Sequence, residues 1–127
     1  MKLINITNHT LMPSQVKDAE EAGHTIVELT PELKTLWGNI PPEYDRGQVR
    51  EFVQPIIEFI KAEVPSNEDC LILLAGDFGA TFAVYDQLPY GAKAIQSTMH
   101  REAQETLLED GSTKTIHILN HVRFRYL

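Results

Sequence analysis

The sequence predicts a three-layer α/β sandwich on a mainly parallel sheet, a single domain over residues 1–127. Three observations predict it. Strand-like and helix-like stretches alternate up to Thr98, a pattern that right-handed crossovers fold into a parallel sheet with helices on its faces. The run Cys70-Leu71-Ile72-Leu73-Leu74-Ala75 is apolar throughout, too short for a membrane span and too apolar for a strand with one wet face, so it reads as a central strand buried on both sides. The last third changes to a two-residue period on either side of Asp110-Gly111-Ser112, which reads as an antiparallel β-hairpin extending one edge.

Lys2 to Thr7 is the first strand, apolar at Leu3, Ile4 and Ile6. Pro13 suits the first position of a helix and Gly23 its end. His24 to Leu29 is the second strand. Thr30-Pro31-Glu32 gives a capping hydroxyl, a proline and an acid near the positive helix end; the helix then buries Leu33, Leu36 and Trp37 and stops at Gly38. From Val49, apolar residues at 52, 53, 56, 57 and 60 recur at helical spacing, and Pro55 inside that run predicts a kink. After the central strand comes Gly76-Asp77-Phe78-Gly79, then a helix ending by Pro89-Tyr90-Gly91. Ala92 to Thr98 is a fourth strand. In the second hairpin arm, Ile116, Ile118, Val122, Phe124 and Tyr126 alternate with His117, Leu119, His121, Arg123 and Arg125, and the two sets are expected on opposite faces.

Charge and composition limit the function. The net charge of −7 argues against a surface that tracks DNA or long RNA, while leaving room for a small anion held by backbone N–H groups and a few gathered cations. A lone cysteine, Cys70, excludes an intrachain disulfide and a cysteine metal cluster. No stretch reads as a membrane span, and Asn5, Thr7 and Asn8 interrupt any signal-peptide core, so a cytoplasmic location is expected.

In parallel sheets the ligand crevice lies beyond the strand carboxyl ends. The loops expected to meet there are Asn8-His9-Thr10, Gly76 to Gly79, and Thr98 to Arg101. Gly76–Gly79 is neither a Walker loop nor a dinucleotide fingerprint; a strand, a glycine turn and a helix start nonetheless make an anion grip. His9 can move a proton near neutral pH. Arg101 can hold a phosphate through paired N–H donors, beside Thr98 and His100. His117 and His121, four apart on a strand, stand about 13 Å from each other, too far to share one metal ion. No cofactor and no metal are expected.

Thr7-Asn8-His9, Leu36-Trp37…Ile40-Pro41-Pro42, Gly76-Asp77-Phe78-Gly79-Ala80-Thr81 and His121-Val122-Arg123-Phe124-Arg125 recur in this order in one small family. Through them the sequence resembles CRISPR-associated ring nucleases, accessory to type III systems, with a Rossmann-like fold of the CARF (cyclic-oligoadenylate-sensing) type. The resemblance implies an antiviral-defence hydrolase that binds and cuts a cyclic oligoadenylate, cyclic tetra-adenylate first, across a homodimer dyad. It implies metal-independent in-line attack by the ribose 2′-hydroxyl, giving linear di-adenylates with a 2′,3′-cyclic phosphate. In that reading His9 and Arg101 are catalytic. Asn8, Thr10, Gly76, Asp77, Phe78, Gly79, Ala80, Thr81, Thr98, His100 and Arg123 bind the ligand. The alternative is a protein that binds the same messenger without cutting it.

Overall fold

The chain, described over residues 1–127 by a computed structural model, is a mixed α/β domain. Its elements are β1 (Lys2–Ile6), α1 (Pro13–Glu21), β2 (Thr25–Glu28), α2 (Pro31–Trp37), α3 (Arg46–Phe52), α4 (Gln54–Glu63), β3 (Cys70–Leu74), α5 (Phe78–Asp86), β4 (Ala92–Leu107) and β5 (Thr113–Tyr126). The five strands form one sheet in the order β2-β1-β3-β4-β5. β1 to β4 run parallel, with Ile4 opposite Val27 and Ile72, and Leu73 opposite Ile95. β5 runs antiparallel to β4 and forms the hairpin edge.

β3 is buried along its whole length, as its unbroken apolar run predicts. Alternate residues feed two cores. Ile4, Ile6, Ile72, Leu74 and Ala94 pack with Trp37, Val49, Val53, Ile56, Ile57, Ile60 and Val84 from α2 to α5. Leu3, Leu71, Leu73 and Ile95 pack with Leu11 and Ala19 around α1 on the other face. The chain steps from β1 to β2 in one direction and from β2 through β3 to β4 in the other. Right-handed crossovers in opposite directions place their helices on opposite faces, as seen. No helix is long and apolar enough to cross a membrane.

The helix run around Pro55 differs from the expected kink: it is two helices, parting at Val53. Proline has no N–H for an interior helical bond, but in the first turn of a helix none is needed. Asp45 caps α3 four residues ahead of Val49, accepting from the Gln48 N–H (2.9 Å) while the Gln48 side chain accepts from the Asp45 N–H.

The fourth strand is the larger difference. It runs on to Leu107, and Thr98 to Arg101 lie inside it rather than in a loop. Its last partner on β3 is opposite Ile95, so β4 and β5 leave the sheet as a two-stranded ribbon roughly 40 Å long. The register shifts between Thr98 and Met99, where Val122 is the extra residue on β5. The bulge inverts the face pattern expected for this arm. His121 shares a face with Phe124, their rings 4.6 Å apart, instead of opposing it.

α1 anchors the base of the ribbon. The His121 side chain, 2% exposed, lies between Ser97 Oγ (2.6 Å from Nδ1) and Asp18 Oδ2 (2.8 Å from Nε2). Gln15 Nε2 donates to the same Ser97 oxygen (3.1 Å).

Burial in β3 pushes the Cys70 thiol from 9.0 up to about 11, against the opposing pull of the Lys2 ammonium. The folded protein therefore holds this proton more tightly than the unfolded chain. Between pH 9.0 and about 11 the unfolded state loses it first, so stability falls as pH rises through that window. Denaturant melts at pH 8 and pH 11 are expected to show the loss, with Cys70→Ala reducing it. At pH 8 a thiol reagent is expected to react with Cys70 only after unfolding.

Candidate functional site

β1 and β3 are neighbours whose connections leave toward opposite faces, so a crevice opens at their carboxyl ends. Three segments meet there. Two are the expected β1–α1 loop and β3–α5 turn. The third is Gly38 to Pro42 after α2, in place of the Thr98–Arg101 segment.

A buried polar chain sets the first loop. Asn5, fully buried in β1, donates through Nδ2 to Glu28 Oε2 (3.0 Å) and to the His9 carbonyl (3.3 Å). The Thr7 hydroxyl donates to Asn5 Oδ1 (2.7 Å) and accepts from the His9 N–H (3.3 Å). Lys34 neutralises Glu28 at 3.3 Å. The backbone at His9 is therefore tied down while its ring remains at the surface, on the pocket wall.

Trp37 sets the second segment. Its indole N–H donates to the Ala75 carbonyl (2.9 Å), laying the ring against Gly76. Gly76 has φ +154°, and a Cβ there would lie 2.8 Å from Trp37 Nε1. Only glycine allows both the conformation and the contact. A Cβ on Gly38 would come 2.5 Å from Asn8 Nδ2, so the missing side chain seats the Asn8 amide.

The result is a pocket of about 320 Å³ that brings together Asn8, His9, Gly76 and Asp77 with Trp37 and Gly38. It adjoins a larger groove of about 570 Å³ holding Phe78 and Gly79, and the two share Ile40 and Asp77. The amides of Gly76, Asp77, Phe78 and Gly79 donate to no group in the chain. The Ala80 N–H is taken by Asp77 Oδ1 (2.9 Å) and the Thr81 N–H by the Asp77 carbonyl (2.9 Å). The amides left open to an anion are thus four, ending at Gly79. Ala80 is fully buried, and the Thr81 hydroxyl is buried without a partner, lining neither cavity.

Other expected residues lie elsewhere. Thr10 is exposed and lines neither cavity. Thr98, His100 and Arg101 are on β4, with the Thr98 hydroxyl donating to the Arg123 carbonyl (3.0 Å). Arg123 lines a separate cavity with Asp18 and His24.

The structure adds a cation that the sequence reading passed over. Lys2, Lys17, Lys34, Arg50, Lys61 and Lys93 each have a carboxylate partner. Outside the hairpin, Arg46 alone has none, and it lines the groove beside Phe78. Its position just after Ile40-Pro41-Pro42 was the available signal.

A family model described as "Uncharacterized protein MJ1673 family" matches residues 1–125. The chain is 32% identical over 127 residues to "Uncharacterized protein MJ1673" of Methanocaldococcus jannaschii, covering 98% of this chain and 95% of that one. No solved structure matches.

Two glycine substitutions are expected to separate fold from site. Gly76→Ala meets both the positive φ and a packed indole, and is expected to cost about 1–3 kcal/mol, seen as a melting temperature lower by about 3–10 °C. Gly38→Ala meets only the end of the Asn8 side chain, which can swing away. It is expected to leave the melting temperature within about 2 °C of wild type while displacing Asn8.

Proposed function

The chain belongs to the MJ1673 family, and we propose that it is a ring nuclease that binds cyclic oligoadenylate, with cyclic tetra-adenylate as its substrate, on a Rossmann-like domain of the CARF type. One observation carries the reading: at the β1/β3 crevice, four unengaged amides, Asn8 and His9 line adjoining cavities with an unpaired Arg46. The strand order of the parallel part, β2-β1-β3-β4, supports the doubly wound fold reading. The motif order supports the substrate.

The chemistry needs little from the protein beyond placement. The ribose 2′-hydroxyl is the nucleophile; it forms a new bond to phosphorus while the bond to the 5′-oxygen breaks on the opposite side. His9 takes the 2′-hydroxyl proton, and water supplies one to the departing 5′-oxygen. The products are a 2′,3′-cyclic phosphate and a 5′-hydroxyl, so no outside nucleophile has to be generated. Holding the three atoms in line contributes up to about 7–11 kcal/mol in the best cases. The Gly76–Gly79 amides face the phosphoryl oxygens, where charge grows in the transition state. Asn8 orients the ribose, and Arg46 takes the charge-neutralising role expected of Arg101. A homodimer would offer each group twice to a ring of matching symmetry, cutting it at two opposite linkages.

Cyclic tetra-adenylate incubated with the protein in EDTA is expected to give linear di-adenylate with a 2′,3′-cyclic phosphate, identified by mass spectrometry. His9→Ala is expected to slow cleavage about 100-fold. Ring that stays intact at excess protein contradicts the nuclease reading, and tight binding of that intact ring favours the non-cutting alternative.

A further inference from the structure

The larger groove differs in chemistry from the pocket it adjoins. Phe78 and Phe82, one helical turn apart on α5, present their rings to it while 85% and 64% exposed. The opposite wall is Pro41, Pro42 and Tyr44, with Tyr44 held edge-on against Phe52 at 5.7 Å between ring centres. A volume of about 570 Å³ is that of a small-molecule site. Two phenyl rings left largely in water forgo the stabilisation that burial gives, and grouped apolar exposure of this kind marks a surface that something covers.

Charge decides what covers it. Arg50 is engaged by Asp86 at 2.7 Å, leaving Arg46 as the groove's free cation. Asp45 and Asp77 each cap a helix through Oδ1, accepting from Gln48 N–H and Ala80 N–H. Each keeps a second carboxylate oxygen with no partner in the chain, able to accept an N–H. With Asp86 paired to Arg50, the groove's open carboxylate oxygens are those of Asp45 and Asp77, two against the one free cation Arg46. The neighbouring pocket, lined by Gly76 and Asp77 with their free amides, is where a phosphate finds donors without the groove's other carboxylates. The two cavities are adjacent, sharing Ile40 and Asp77, so a nucleotide with its phosphate at one reaches the other with its base.

We propose that this groove is a nucleobase site. It stacks a planar base against Phe78 and Phe82 and selects bases that carry an exocyclic amino group, through Asp45 and Asp77. This rests on the nucleotide-binding part of the proposed function and not on cleavage. In that substrate the base is adenine.

The test is calorimetric titration with AMP, IMP and ribose 5-phosphate, on the wild type, Phe82→Ala and Phe82→Tyr. AMP is expected to bind more tightly than IMP, because the carbonyl of IMP meets carboxylates where AMP offers an amino group. Ribose 5-phosphate is expected to bind more weakly than AMP. Phe82→Ala is expected to weaken AMP about 5- to 150-fold, with ribose 5-phosphate affinity and melting temperature unchanged. Phe82→Tyr, which keeps an aromatic face, is expected to retain AMP.

AMP binding no better than ribose 5-phosphate overturns the proposal, as does equal loss of both ligands in Phe82→Ala. A Phe82→Ala variant that loses self-association while keeping AMP affinity makes the face an interface between copies, and also overturns it. Selective AMP binding beside an uncut cyclic tetra-adenylate leaves the base site standing and removes only the nuclease. A cut ring with AMP affinity indifferent to Phe82→Ala does the reverse.

Discussion

A single indole holds the carboxyl edge together. Trp37 ends α2, sits in the larger core, and donates its N–H to the Ala75 carbonyl just past the central strand. The bond satisfies a carbonyl that would otherwise face an apolar ring, and it places that ring where only a glycine can follow. Gly76 then takes its positive φ, the chain turns, and Asp77 starts α5 by capping Ala80. Along this turn the amides of Gly76, Asp77, Phe78 and Gly79 are left without an internal partner. The same packing that completes the core therefore creates the row of donors at the edge.

The Asn5 network does the corresponding work for the other loop. A fully buried amide in a central strand is costly unless its hydrogen bonds are made. Here Glu28, Thr7 and the His9 backbone make them, and Lys34 offsets the carboxylate. The loop is fixed by groups beneath it, leaving Asn8 and His9 free to face outward. Net charge and local charge also part company at this edge. The chain carries −7, yet residues with free amides line both cavities, Gly76 and Asp77 in one, Phe78 and Gly79 in the next beside an unpaired arginine. For the proposed nucleotide, local donors must therefore outweigh a net charge that makes long-range attraction weak and salt-sensitive.

Much of this was legible in the sequence wherever one residue type has one physical meaning. An unbroken apolar run became a strand buried on both faces, and Thr30-Pro31 became a capped helix start, with the Thr30 oxygen accepting from the Leu33 N–H at 3.3 Å. Asn8, His9 and the Gly76–Gly79 turn were visible because loops at parallel-strand ends converge. The hairpin was less legible. Two-residue alternation does not reveal a bulge, so the faces beyond Val122 were assigned in reverse. Nor does it reveal where a strand leaves its sheet, so Thr98–Arg101 was read as a loop. Arg46 was hidden for another reason: whether a cation is paired depends on which carboxylates the fold brings near it. Asn5 could have been found, because an amide between Ile4 and Ile6 in a strand core asks for a structural or functional reason.

The central claim is that a nucleotide phosphate sits on the amides between β3 and α5. Amide chemical shifts of isotope-labelled protein during titration with cyclic tetra-adenylate test it most directly. The account predicts that Gly76, Asp77, Phe78 and Gly79 and the Trp37 indole N–H move first and furthest. Shifts confined to the ribbon beyond Thr98, or none at saturating ligand, would contradict it.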